Sequence, residues 1–128
     1  MADPLVVGDL MRTEVVSAAP EMPVAVAAER MVARKVGSAC VLEASFLAGI
    51  LTERDVLRAA ASGADLTISM VNEWMTPDPQ AASPEMSVDE AAQIMVRNGF
   101  RHLPVLDGRH LCGIVSLRDL FAARIRRA

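Results

Sequence analysis

The chain has 128 residues, a length that suits one compact globular unit, and its 52% hydrophobic share is ample for a core. Thirteen basic residues against sixteen acidic ones leave a net charge of −3, which gives no reason to expect nucleic acid or an anionic membrane as partner. No apolar run approaches the roughly 20 residues that span a bilayer. Met1-Ala2-Asp3-Pro4 lacks the basic and apolar regions of a signal peptide, so the expected location is cytoplasmic. Cys40 and Cys112 lie in apolar strand-like runs without CxxC spacing and read as buried reduced thiols. With one Trp, three Phe and no Tyr, the core is expected to consist of Ala, Val, Leu and Met.

In chain order, a short helical turn at Gly8-Asp9-Leu10-Met11 is followed by an extended segment around Val15-Val16 and a Pro20-Glu21-Met22 turn. Val24, Ala27, Ala28, Met31 and Val32 then fall at offsets 0, 3, 4, 7 and 8, one face of an α-helix. Pro23 suits its start, and Gly37 is read as marking its exit. Two apolar strands, 39–42 and 47–51, are joined by a loose Glu43-Ala44-Ser45 link. Thr52-Glu53-Arg54-Asp55 opens a further helix, with Thr52 as N-cap and the carboxylate three positions on. Ser62-Gly63-Ala64-Asp65 is a linker, after which the series begins again.

Asn72-Glu73-Trp74-Met75 repeats the helical turn, Gln80-Ala81 the extended segment and Pro84-Glu85-Met86 the turn. Val88, Ala91, Ala92, Met95 and Val96 repeat the helix face, with Ser87 placed to cap it and Gly99 to end it. Strands at 103–106 and 111–115 are joined by an Asp107-Gly108 hairpin turn. Gly113-Ile114-Val115-Ser116-Leu117-Arg118-Asp119 matches Gly49-Ile50-Leu51-Thr52-Glu53-Arg54-Asp55 and leads into an amphipathic helix. Arg124, Arg126 and Arg127 read as charges that complement the dipole of its final turn. Residues 7–59 laid over 71–123 without a gap give 19 identities among 53 pairs. The chain therefore holds two copies of one unit, divided as 1–64 and 65–128. Each copy reads α-β-α-β-β-α, a small sheet with helices on one side, giving an α/β (α+β) fold of two units related by pseudo-two-fold symmetry. Burying their apolar open faces against each other is the expected solution at this size.

The two hydroxyl–carboxylate motifs admit two readings. Each is a sufficient helix cap, worth roughly 1 kcal/mol. However, Arg54 and Arg118 place a cation in the first turn, against the macrodipole, and an anion bound at the helix N-terminus would relieve that conflict. An ionised Asp can also accept hydrogen bonds from two vicinal hydroxyls, as a ribose diol requires. The sequence contains no Gly-rich phosphate loop, no HExxH and no serine elbow. His102 and His110 lie near Cys112 without a further ligand for zinc. Neither catalysis nor a metal site is expected.

The element order, the Gly-apolar-apolar-Thr/Ser-x-x-Asp endings and the Phe100-Arg101-His102-Leu103-Pro104-Val105 strand start resemble a tandem pair of CBS domains (cystathionine β-synthase domains, the Bateman module). The likeness covers essentially the whole chain and is that of a stand-alone pair. It implies a regulatory sensor with two clefts between the copies that take adenosine-containing ligands such as AMP, ADP, ATP or S-adenosylmethionine, with no required cofactor. The resemblance places Asp119 and Ser116 in one cleft with Ile114, Val36, Gly37 and the segment bearing Glu14 and Val16. It places Asp55 and Thr52 in the other with Ile50, Phe100, Arg101 and the segment bearing Asp78 and Gln80. Arg101, His102, Arg118 and Arg54 are its candidates for phosphate contacts. The first copy lacks the proline and the basic residue of the second copy's strand start, and Val36 and Gly37 are small there. The Asp119 cleft is accordingly expected to bind more tightly. The alternative class is a ligand-independent dimerisation or protein-interaction module, and in either case a homodimer built from helical faces is expected. The residues name no regulated partner protein.

Overall fold

The computed structural model describes residues 5–127, and side chains as far as residue 125. Met1-Ala2-Asp3-Pro4 and the side chains of Arg126 and Arg127 lie outside the described residues. The elements in order are α1 (Val7–Leu10), β1 (Ser17–Ala18), α2 (Val24–Arg34), β2 (Ser38–Glu43), β3 (Phe46–Thr52) and α3 (Glu53–Ala61). There follow α4 (Val71–Trp74), β4 (Thr76–Pro77), α5 (Val88–Asn98), β5 (His102–Asp107), β6 (His110–Ser116) and α6 (Leu117–Arg127). Both α/β copies read from the sequence are present. Packing, however, does not follow the sequence halves. The segment ending at Glu14 packs with the chain from Gln80 onward, and residues 15–79 form the other compact unit.

In the 15–79 unit a four-stranded sheet runs in the order β1-β2-β3-β4. Strand β1 pairs in parallel with β2 through Ser17 and Cys40, and β2 and β3 form an antiparallel hairpin. Strand β4 then pairs with β3 through Ile50 and Thr76. The period-3.6 face of α2 delivers Ala27 and Met31 to a core with Ala18, Ala39, Val41, Leu51 and Val71. Gly49 is what admits β4. A Cβ at that position would lie 2.6 Å from the Met75 Sδ and 2.8 Å from the Thr76 carbonyl oxygen.

The second unit repeats this plan around the β5–β6 hairpin. The place of β1 is taken by a parallel bridge between Ala82 and Val105, and that of β4 by an antiparallel bridge between Arg12 and Ile114. At the place of β1 the pairing is thinner for a covalent reason. The Cys40 N–H donates to the Val16 carbonyl at 2.8 Å in the first unit, but the equivalent of Cys40 is Pro104, which has no N–H to give to Gln80. Val7, Ala82, Val88, Ala91, Met95, Leu103, Val105, Val115 and Leu120 form this core. Gly113 admits Met11 and Arg12 just as Gly49 admits Met75 and Thr76.

Three local readings need correction. Helix α2 ends before Gly37, at Lys35, which takes the left-handed conformation with φ 56°. Its counterpart in the other copy is Gly99, the C-cap of α5 with φ 72°. The first hairpin is not loose, because Glu43 pairs with Phe46 across a two-residue turn, with Ala44 left-handed at φ 56°. The second hairpin turns on Gly108-Arg109, since Asp107 is itself paired with His110. Both cysteines are free, and Cys40 is buried while Cys112 is only half-buried, its Sγ 3.4 Å from the Val105 carbonyl. Burial pushes the Cys40 thiol up to about 12. Among the described residues, no helix is long and apolar enough to cross a membrane.

Candidate functional site

The site is built where each hairpin runs into its closing helix. In the 15–79 unit, β3 ends at Thr52, whose extended backbone makes it the N-cap of α3. The Thr52 N–H donates to the Asp55 Oδ2 at 2.8 Å, the Thr52 hydroxyl lies 3.0 Å from the same oxygen, and the Asp55 N–H donates to Thr52 Oγ1 at 3.3 Å. The other oxygen, Oδ1, accepts from Arg58 Nη1 at 3.0 Å. The Arg58 guanidinium also lies over the Trp74 ring, 5.7 Å from its centroid. Asp55 is 7% exposed, and the side chain and backbone of its own helix and cap satisfy it.

The Asp119 carboxylate is held differently. The Asp119 N–H donates to Ser116 Oγ at 3.1 Å, so Ser116 caps α6 as expected. The carboxylate faces Arg12, whose Nε and Nη2 donate to Oδ2 and Oδ1 at 3.2 and 3.3 Å. The Asp119 side chain is 22% exposed against 10% for Asp55, while the two guanidinium side chains are equally open, 57% for Arg12 and 59% for Arg58. Partial burial pushes the Asp119 carboxyl up. Hydrogen bonds from Arg12 and Ser116 and the Arg12 charge outweigh this and leave it below the ordinary carboxylate value.

Several expected residues gather around this carboxylate's unit. Ile114 pairs with Arg12, Ser116 pairs with His102, and the Leu117 N–H donates to the Arg101 carbonyl at 2.9 Å. The Phe100-Arg101-His102 turn thus abuts the start of α6, with Arg101 and Arg118 exposed and Phe100 packed against the core. Glu14 and Gln80 belong to the same unit. In the 15–79 unit, the Gly37 carbonyl accepts from Glu53 N–H at 2.9 Å, and the Val36 N–H donates to the Met31 carbonyl at 3.0 Å. Val16 accepts from Cys40, Ile50 lies in β3, Arg54 is exposed, and the Asp78 N–H donates to Ala48 at 3.0 Å from a left-handed backbone. Val36, Gly37 and Val16 therefore belong to a different unit from Asp119, and Phe100, Arg101 and Gln80 to a different unit from Asp55.

Sequence reasoning missed Arg12 and Arg58. The signal was available in the copy alignment, where Arg12 stands opposite Thr76 and Arg58 opposite Ala122. Among the described residues, no group of three His, Cys, Asp or Glu side chains gathers to hold a metal.

Comparison with known proteins agrees with this plan. The CBS domain model matches residues 7–62 and again 71–126. The chain is similar to the CBS domain-containing protein YhcV of Bacillus subtilis, 38% identical over 115 residues that span 89% of this chain and 81% of that protein. Its fold is similar to a solved CBS-domain-containing protein of Agrobacterium tumefaciens, with TM-score 0.86 and 31% identity over 93% of this chain and 98% of that one. It is also similar to CBSX2, solved in complex with AMP, with TM-score 0.84 and 27% identity over 95% and 97% of the two chains.

Proposed function

This chain belongs to the CBS domain family, and we propose that it is a non-catalytic regulatory module that binds an adenosine-containing ligand at Asp119. One observation carries the reading. The two copies share the same cap motif, yet the Asp55 side chain is only 10% exposed and takes its cation from its own helix, whereas Asp119 is 22% exposed and takes its cation from Arg12, on a segment remote in the chain. A carboxylate held ionised, orientated by Ser116 and open to solvent suits a vicinal diol. Arg118 and Arg101, exposed in the same unit, supply donors for phosphate. The AMP bound by CBSX2 supports AMP as the first ligand to test, ahead of ADP, ATP and S-adenosylmethionine. Two free thiols suit a reducing, cytoplasmic setting.

The test is thermal unfolding with and without AMP. Ligand at about a hundred times its dissociation constant adds roughly 2.7 kcal/mol, a rise of several degrees. Asp119→Ala should remove most of that rise and Asp55→Ala should leave much of it. Equal losses would overturn the assignment to Asp119, and no rise with any adenosine ligand would return Ser116 and Asp119 to capping alone.

A second reading, a protein-interaction module, has its own support. Each unit exposes large apolar side chains at matching helix positions, Val32 and Leu57 in one and Val96 and Phe121 in the other. We read these faces as the contact surface of a homodimer, the commonest closed assembly. Light scattering that shows a strict monomer at micromolar concentration would refute it.

A further inference from the structure

Arg12 is placed on Asp119 by main-chain pairing. Its N–H donates to the Ile114 carbonyl at 2.8 Å and its carbonyl accepts from the Ile114 N–H at 3.0 Å, which fixes it two positions along β6 from the cap. The equivalent of Arg12 in the other copy is the uncharged Thr76, and Asp55 takes its cation from Arg58 instead. At 3.2 and 3.3 Å, the two Arg12–Asp119 bonds are longer than the roughly 2.7–2.9 Å of tight charge-assisted hydrogen bonds. With its side chain 57% exposed, the guanidinium can leave for solvent without an unpaired buried charge being created. The pair is a clasp that a competitor can open.

A ribose diol that uses Asp119 meets a carboxylate on which Arg12 already holds one site at each oxygen, and so competes with the guanidinium for it. We infer that Arg12 determines ligand class at this carboxylate. It disfavours uncharged nucleosides, which displace the guanidinium and offer it no new partner, and it favours 5′-nucleotides, whose phosphate rides on the same sugar as the diol and can re-pair it. The inference rests on the reading of Asp119 as the ribose-binding carboxylate.

The test is isothermal titration calorimetry on the full chain with AMP and with adenosine, comparing the unmutated protein, Arg12→Gln, Arg12→Ala and Asp119→Asn. An exposed ion pair shifts an equilibrium by about fivefold at most. Both Arg12 variants should bind adenosine about two- to fivefold more tightly and AMP about two- to fivefold more weakly, so that the preference for AMP falls by roughly tenfold. Circular dichroism checks that the variants fold. If Asp119→Asn loses AMP but the AMP-to-adenosine ratio of the Arg12 variants stays within about twofold of the unmutated protein, Asp119 keeps its role and the Arg12 inference is wrong. If the unmutated chain binds neither ligand, or Asp119→Asn binds AMP undiminished, the reading of Asp119 fails and takes the inference with it.

Discussion

Adding one methyl group at Gly113 tests how the opening segment is seated. Gly113 does not have a left-handed backbone, so Gly113→Ala probes space and not conformation. The new Cβ would lie 2.8 Å from the Arg12 carbonyl oxygen, 2.8 Å from the Met11 Sδ and 3.0 Å from its Cγ. The Met11 side chain can swing aside. The carbonyl cannot, because it accepts from the Ile114 N–H at 3.0 Å while the Arg12 N–H donates back at 2.8 Å. Overpacking of this kind costs about 1–3 kcal/mol, and weakening two ladder hydrogen bonds costs about 1 kcal/mol each. The lower chain entropy of alanine in the unfolded state returns about 0.4–1 kcal/mol. The expected net loss is about 2–4.5 kcal/mol, measured as a lower midpoint in urea unfolding followed by far-UV circular dichroism. A Gly113→Ala protein within about 0.5 kcal/mol of the unmutated one would refute the claim that this glycine exists to admit the segment.

Ala44→Gly and Lys35→Gly should each stabilise the chain. Both residues sit at φ 56°, which costs an L-residue roughly 1–2 kcal/mol, and glycine's extra unfolded-state entropy cancels about half, leaving a gain of about 0.5–1 kcal/mol. A fall in the melting temperature of both would contradict this. Without ligand, Asp55→Ala should cost about 1–3 kcal/mol because it strips the part-buried Thr52 N–H of its acceptor and Arg58 of its partner. Asp119→Ala, at a more exposed carboxylate, should cost under about 1 kcal/mol. The reverse order in urea unfolding would count against the contrast drawn between the two carboxylates.

Much of the fold was legible because its signals are local. The 3.6-residue face of α2 and α5 and the hydroxyl–x–x–Asp caps of α3 and α6 depend only on neighbours in the chain, and the offset of 64 repeats them, although the last member of each face, Val32 and Val96, is exposed. Gly37 was misread because a glycine near a helix end is a generic stop signal. The copy alignment already placed the true counterpart of Gly99 at Lys35, and position in the copy proved the better guide than residue type. The packing of the opening segments was not legible, since periodicity says which face of a helix is buried but not which sheet receives it. Its only trace was Gly49 and Gly113, whose missing side chains make room for Met75 and Met11.

The site shows the same division more sharply. Identical motifs fold into near-identical caps, with Thr52 and Ser116 each accepting from the N–H three residues on. What the motif cannot specify is the fate of the carboxylate, which is decided by one cation that each copy holds and the other lacks. Arg58, one turn along the same helix, closes Asp55 into a local, part-buried network with Thr52. Arg12 arrives from a segment 107 positions away in the chain and leaves the Asp119 carboxylate about twice as exposed as that of Asp55. A duplicated cap thus acquires two different chemistries through residues outside the repeated motif. Exchanging those cations, with Arg12→Thr and Ala122→Arg together, should make Asp119 resemble Asp55, with a more stable cap and weaker AMP binding.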